Sequence, residues 1–285
     1  MPNKTVAIVV PVYKKEMNAD EQIAFHHLRT HLRGHDTFLM TPDDLGITFD
    51  GLPVKTFPRK WFLGTHTYSE LLVSSEFYQA FADYEYILLY QLDCAVFSDD
   101  LLAWCSKGFD YIGAPWTRRE GGQIAFREVG NGGLSLRNVH SALRVLQIYH
   151  QPLRKLTRRL QFVLNLIRQV WKRLTGGIRS VIKTGPASLA QRGFNEARKA
   201  VRVAKPEYHN EDIFWSFEAP QLDPSFTIPS AEVAVAFSFE QEPRFCFEKN
   251  GRKLPFGCHN WAGFDRGFWE EYLERPSQAY TAEKI

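Results

Sequence analysis

Four short polar groups stand out along the chain: Gln91-Leu92-Asp93, Gly130-Asn131-Gly132-Gly133, Asn210-Glu211-Asp212 and Cys258-His259-Asn260-Trp261. Asp93 follows Tyr86-Ile87-Leu88-Leu89-Tyr90, a short apolar run without alternation, which predicts a strand covered on both faces. An acid placed just past such a strand is costly to desolvate unless it is paired or holds a cation. Open α/β sheets bind ligands at the carboxyl ends of their strands. Asp93 therefore heads the candidates. The plainer reading of such an acid is a turn former or helix cap, and that reading suits Asp99 and Asp100.

The other groups are read in the same way. Three glycines within 130–133 imply a backbone that needs positive φ or close approach to another group. Glu211 and Asp212 precede Ile213-Phe214-Trp215, which places both in the first turn of a helix. Adjacent helical positions lie about 100° apart, so only one of the two can point into a cleft. Acids at a helix start also complement its dipole, and spacing does not separate that role from a chemical one. His259, between Cys258 and Trp261, is either a packed, satisfied histidine or a ligand.

The elements that must position these groups alternate. Val6–Val12 reads as a buried strand and Asp20–Arg33 as a helix; Thr37–Met40 and Val54–Phe57 read as strands. Thr67–Phe81 reads as one helix with Ser69 as a candidate cap, leading into the strand at Tyr86. A helix at Asp99–Lys107, a strand at Asp110–Gly113 and a polar loop over Thr117–Gln123 follow. The glycines should stand at the mouth of the next strand, with a helix from Asn138 to His150. Val233–Phe239 reads as a strand by its alternation, and Arg266–Leu273 as a short helix. Strands alternating with helices predict a mainly parallel sheet flanked on both faces.

Composition narrows the class. Four scattered cysteines without CxxC spacing argue against a zinc site or disulfide framework and suit a reducing compartment. The start of the sequence lacks signal-peptide architecture, and no stretch approaches the roughly 20 apolar residues that span a bilayer. The charge is segregated: residues 151–205 hold fourteen Lys/Arg and one acid, Glu196, so that segment carries +13 and the rest −10 of the net +3. Within it, Leu153, Leu156, Leu160, Val163, Ile167, Val170 and Leu174 keep a strict heptad. Residues 153–174 admit three readings: a basic amphipathic helix on an anionic membrane surface, a short coiled coil making a homo-oligomer, or a solvated cover. No aromatic interleaving supports nucleic-acid binding.

The order of the four groups resembles that of the GT-A fold glycosyltransferases. Segments reading YILLYQLD, FDYIGAPW and GNGGLSLR are similar to a bacterial group of sugar transferases found with surface-polysaccharide genes. The resemblance covers residues 5–140 and 206–270 and omits the basic stretch between them. It implies a GT-A-like (Rossmann-like) α/β fold in which 1–150 binds a nucleotide sugar, 151–205 is a basic helical insertion and 206–285 completes the acceptor and catalytic side. It implies a transferase moving a sugar from a nucleotide-sugar donor, UDP-linked by default, to a hydroxyl of a glycan or lipid-linked acceptor, in the cytoplasm or at the inner face of the membrane. Retaining transfer and a non-catalytic carbohydrate- or nucleotide-binding module are the alternatives.

The resemblance also assigns residues. Asp93 matches the second acid of a D-x-D motif whose first acid is here Gln91, and Asp93 with His259 would hold Mn²⁺ or Mg²⁺. Gln91 brings no charge, which weakens the expected hold on the ion. Asp212 is the candidate general base, with Glu211 second. Pro11, Tyr13, Tyr68, Ser69, Asn131, Gly132 and Gly133 would contact the donor. Trp116 and Trp261 would stack on acceptor sugars.

Overall fold

A computed structural model describes residues 4–151 and 210–285. The chain divides into two units, one made of 1–146 with 210–285 and the other of 147–209. The heptad at 153–174 and the basic helix expected at 188–204 lie outside the described residues.

The first unit is a mixed α/β layer structure. Its strands are β1 (Lys4–Pro11), β2 (Asp36–Pro42), β3 (Ile47–Phe49), β4 (Val54–Phe57), β5 (Tyr84–Tyr90), β6 (Ala95–Val96), β7 (Tyr111–Ile112), β8 (Pro115–Glu120), β9 (Gln123–Val129) and β10 (Leu134–Asn138). Between them run α1 (Ala19–His31), α2 (Thr65–Leu72), α3 (Ser75–Gln79) and α4 (Leu101–Ser106), with α5 (Val139–Tyr149) after β10. The main sheet has the order β4-β2-β1-β5-β10-β7. The four strands from β4 to β5 are parallel, and β10 is antiparallel to both neighbours. Residues 86–90 of β5 are buried throughout, as an unalternating run at the sheet centre requires.

That one antiparallel strand decides where the glycines arrive. Leu134 pairs with Tyr90, so the start of β10 meets the end of β5. The Gly133 carbonyl accepts the Gln91 N–H at 2.9 Å. The carboxyl ends of β1 and β5 and the 130–133 loop thus share one edge of the sheet.

A second, three-stranded sheet supplies the rest. Ser238–Phe239 pairs in parallel with Gly257–Cys258, which pairs antiparallel with β6. Because Phe239 opposes Cys258 and Cys258 opposes Ala95, Glu240 and His259, the next residues of their strands, come to the end where β6 begins, two residues after Asp93.

Several local expectations differ. Thr67–Phe81 is two helices: the chain breaks at Val73, and Ser74 caps the second by accepting the Phe77 N–H. Ser69 is no cap but a buried residue inside α2. Thr117–Gln123 belongs to the β8–β9 hairpin, where Gly121 and Gly122, at φ +56° and +83°, form a turn open to residues with positive φ. Both strands are mostly exposed, so no apolar alternation marked them. Ala231–Phe237 is a helix and only Ser238–Phe239 a strand; its alanines are good helix formers, and Ala234, Val235 and Phe237 fall on its buried side. Asp100 stands at the start of α4, yet its carboxylate takes the Ser98 hydroxyl in place of a helix N–H. Asp99 pairs with His35.

Candidate functional site

A cleft of about 580 Å³ opens at the shared edge. One wall follows β1 and runs from Pro11 and Tyr13 to the α1 start at Asn18; the other is Phe62–Thr65 with Tyr68. Gln91, Leu92 and Asp93 form its floor. Tyr13 and Leu63, which line it, are 57% and 72% exposed and present apolar surface to solvent. Lys14, Glu16, Asp20, Glu21 and Asp93 give the cleft an acidic balance. The lysine is already held by Glu21 at 2.7 Å, and Asp20 by Arg266.

Behind Asp93 lies an imidazole between two acids. His259 Nε2 is 3.3 Å from Asp93 Oδ1, and its Nδ1 is 3.0 Å from Glu240 Oε1. Burial disfavours the charged ring, yet these two carboxylates outweigh it and push His259 up to about 10. Asn131 Oδ1 accepts the Gly133 N–H at 3.0 Å, which turns its amide nitrogen toward His259 Nδ1, 2.9 Å away. Protonated, Nδ1 donates to Glu240; bare, it accepts from Asn131.

Asp93 Oδ1 is a buried oxygen without an aligned hydrogen-bond donor. Two ligand atoms bound to one cation at about 2.1 Å and a right angle stand about 3 Å apart. The spacing of Asp93 Oδ1 and His259 Nε2 fits that, and a carboxylate on the far ring nitrogen is the usual orienting partner of a ligating histidine. Among the described residues no group of three His, Cys, Asp or Glu side chains converges on an ion position. A divalent ion here would therefore have two side-chain ligands, the rest of its shell being water or ligand oxygen. The Gln91 amide nitrogen donates to the Tyr68 hydroxyl at 3.3 Å.

The acidic turn lies across the glycine loop. Glu211 is buried against Arg137, 2.8 Å away, with side-chain exposures of 7% and 1%. Asp212 is partly buried, and its Oδ1 accepts the Ile213 N–H at 2.7 Å. Burial, then the neighbouring Glu211 charge, push Asp212 up to about 6. Glu240 adds in the same direction and Arg137 opposes. The helix then widens into a π turn over Phe214–Glu218.

The glycines are there for space. A Cβ on Gly132 would overlap the Glu211 carboxylate, one on Gly133 the His259 ring, and one on Gly130 the Trp116 ring. The residue with positive φ is Asn131, at 64°.

The structure gathers Pro11, Tyr13, Tyr68, Gln91 and Asp93 around the cleft, and Asn131, Gly132, Gly133, His259, Glu211 and Asp212 beside it. Burial and the nearby Glu211 push the Tyr68 phenol far up, so it stays a donor. Ser69 lies buried, its hydroxyl without a partner. Trp261 is fully buried beneath the Arg266 guanidinium, 4.8 Å from its ring, and offers no free face to a sugar. Trp116 is half-buried and stacked on Phe217 at 5.8 Å. Sequence reasoning missed Glu240 and Arg137. The signal for Arg137 was a basic residue in an otherwise buried strand; Glu240 had none.

All four cysteines are free and buried. Among the described residues no helix is long and apolar enough to cross a membrane.

No curated protein matches the chain. A solved glycosyltransferase involved in the glycosylation of the major capsid of PBCV-1 is 10% identical, with a TM-score of 0.42, over 94% of this chain and 98% of that one. A 4-diphosphocytidyl-2C-methyl-D-erythritol synthase is 13% identical, with a TM-score of 0.29, over 50% of this chain and 79% of that one. Residues 51–259, which include all three acidic and glycine groups and end on His259, match a family model described as a protein of unknown function, and the chain belongs to that family, DUF5672.

Proposed function

We propose that the protein is a glycosyltransferase that moves a sugar from a nucleotide-sugar donor to a hydroxyl of a glycan or lipid-linked acceptor, with inversion, in bacterial surface-polysaccharide synthesis. One observation carries the reading. A cleft at the carboxyl ends of β1 and β5 has Asp93 in its floor with His259 behind it and, across a glycine loop, a carboxylate pushed up to about 6.

The chemistry follows from those positions. The donor's base would lie against the exposed Tyr13 ring, its diphosphate above Asp93. A divalent ion on Asp93 and His259 would neutralise the departing diphosphate. The cleft's own charge is acidic and its lysine is engaged, so the side chains alone would repel a diphosphate. Asp212 takes the proton of the acceptor hydroxyl as that oxygen bonds to the anomeric carbon and the carbon–phosphate-oxygen bond breaks. A carboxylate raised toward the working pH is a better proton acceptor than an ordinary one. Trp116 would offer an apolar ring to the acceptor sugar. Docking of 153–174 on an anionic membrane would bring a lipid-linked acceptor to hand.

Purified protein with UDP-sugars and Mn²⁺ should release nucleoside diphosphate, and Asp93→Ala should abolish the release while Asp99→Ala retains it. Equal loss in both variants would sink the reading. A retained anomeric configuration in the product, seen by NMR, would remove the base role of Asp212. A binding module without turnover is favoured by Gln91, whose amide serves Tyr68. Saturable donor binding with no product under any tested acceptor would establish that module instead.

A further inference from the structure

We propose that Arg137 and Glu211 form a buried positioning clamp, in which Glu211 is a fixed counter-charge that sets the surroundings of Asp212 and accepts no proton from substrate; this rests on the transferase reading above. Arg137 is fully buried in β10, where an unpaired guanidinium would be prohibitive. Four of its five N–H donors are used. Nε donates to Ser135 Oγ at 3.0 Å, Nη1 to the Tyr78 hydroxyl at 3.3 Å, and Nη2 to Glu211 Oε1 at 2.8 Å and to the Gly132 carbonyl at 3.3 Å. The face of Tyr111 lies 5.5 Å away, and the Tyr111 hydroxyl donates to the Asn131 carbonyl at 2.8 Å.

Two consequences follow. An arginine keeps its charge at any working pH, so the carboxylate hydrogen-bonded to it is occupied by a charge-assisted pair. Glu211 is thus committed inward, while Asp212, about 100° around the helix, is the acid left for the cleft side. The same guanidinium and Tyr111 hold the carbonyls of Gly132 and Asn131, and the Asn131 amide reaches His259. One connected set of polar contacts therefore ties the acidic turn to the Asp93–His259 pair.

Asp212 faces Glu211 on its own turn, Arg137 from β10, Tyr111 from β7 and Glu240 beyond Ser238–Phe239. Glu211→Gln keeps an oxygen for Arg137 and removes the nearest like charge. The titration of Asp212 is followed by NMR in the full chain labelled with ¹³C-carboxyl aspartate, its signal assigned by loss in Asp212→Asn. In Glu211→Gln the Asp212 carboxyl should titrate at lower pH, and the acidic limb of donor turnover should move the same way. An unmoved Asp212 titration in folded Glu211→Gln overturns the clamp, as does turnover that survives Asp212→Asn and dies in Glu211→Gln. A second variant, Arg137→Met with Glu211→Leu, replaces the ion pair by apolar side chains. It should fold yet exchange the Gly133 and Leu134 amide protons faster, and wild-type exchange rates there would also overturn the clamp. A shifted titration in a protein that turns over no donor would sink the transferase reading and leave the clamp standing.

Discussion

His259 Nε2 lies 3.3 Å from Asp93 Oδ1, although one residue follows the central strand and the other stands near the end of the chain. The small sheet makes the meeting, since β6 runs antiparallel to Gly257–Cys258 and starts where that strand ends. A carboxylate and an imidazole so placed are suited to share a cation. In a thermal-shift screen, Mn²⁺ with a matched nucleotide sugar at 100 times its Kd should add about 2.7 kcal/mol of stability. Asp93→Ala and His259→Ala should each lose the Mn²⁺-dependent part. Stabilisation undiminished in both would place the ligand elsewhere.

Asp212 makes stability and function oppose one another. Its folded-state value, about 6, lies above the ordinary 3.8, so the fold favours the protonated acid. That contribution is fully present below pH 3.8 and is lost as pH rises through 6; at neutral pH the ionised group is a net cost of up to about 3 kcal/mol. Asp212→Asn should therefore raise Tm at pH 7 to 8, leave it little changed near pH 4, and abolish transfer. A variant that is inactive and no more stable at pH 8 would show that the carboxylate is not strained by its setting.

Gly132 and Gly133 leave room for the side chains that matter. A methyl at Gly133 would displace the His259 ring, and one at Gly132 the Glu211 carboxylate. Overpacking of this kind costs about 1–3 kcal/mol. Gly133→Ala should remove Mn²⁺ binding while the chain still folds, and Gly121→Ala, in the exposed hairpin, should leave it intact. Equal metal affinity in Gly133→Ala and wild type would mean that the ring tolerates the shift.

These glycines also show what could be read from the chain alone. Close approach was legible at 130–133, and so was a ligand edge after β5, because both follow from local residue types. The partners were not, since Glu211 and His259 reach the loop only through the sheet register. Arg137 looked like the end of an apolar strand because its counter-ion lies far along the sequence. Glu240 was hidden by the misread alternation of 233–239, where a helix hands over to a strand just before it. Trp261 was legible as an aromatic and not as a buried one, because Arg266 covers it from the next turn.

Glu240 is the least obvious member of the site and gives the sharpest test of it. It is buried, 8% exposed, and its Oε1 sits 3.0 Å from His259 Nδ1. With that carboxylate in place, a metal ion that displaces the Nε2 proton leaves the remaining proton held on Nδ1 and the Nε2 lone pair turned toward Asp93. Without it, the Asn131 amide is the remaining partner of Nδ1 and can only donate, which drives the proton to Nε2. An imidazole with a proton on Nε2 cannot ligate through that atom. Glu240→Ala should therefore weaken Mn²⁺ binding ten- to a hundred-fold in calorimetric titration, though Glu240 touches no ion itself. Asp212→Asn, which alters a carboxylate on the far side of the glycine loop, should leave that affinity alone. Unchanged Mn²⁺ affinity in Glu240→Ala would mean that His259 holds Asp93 in place by its charge and takes no part in binding metal.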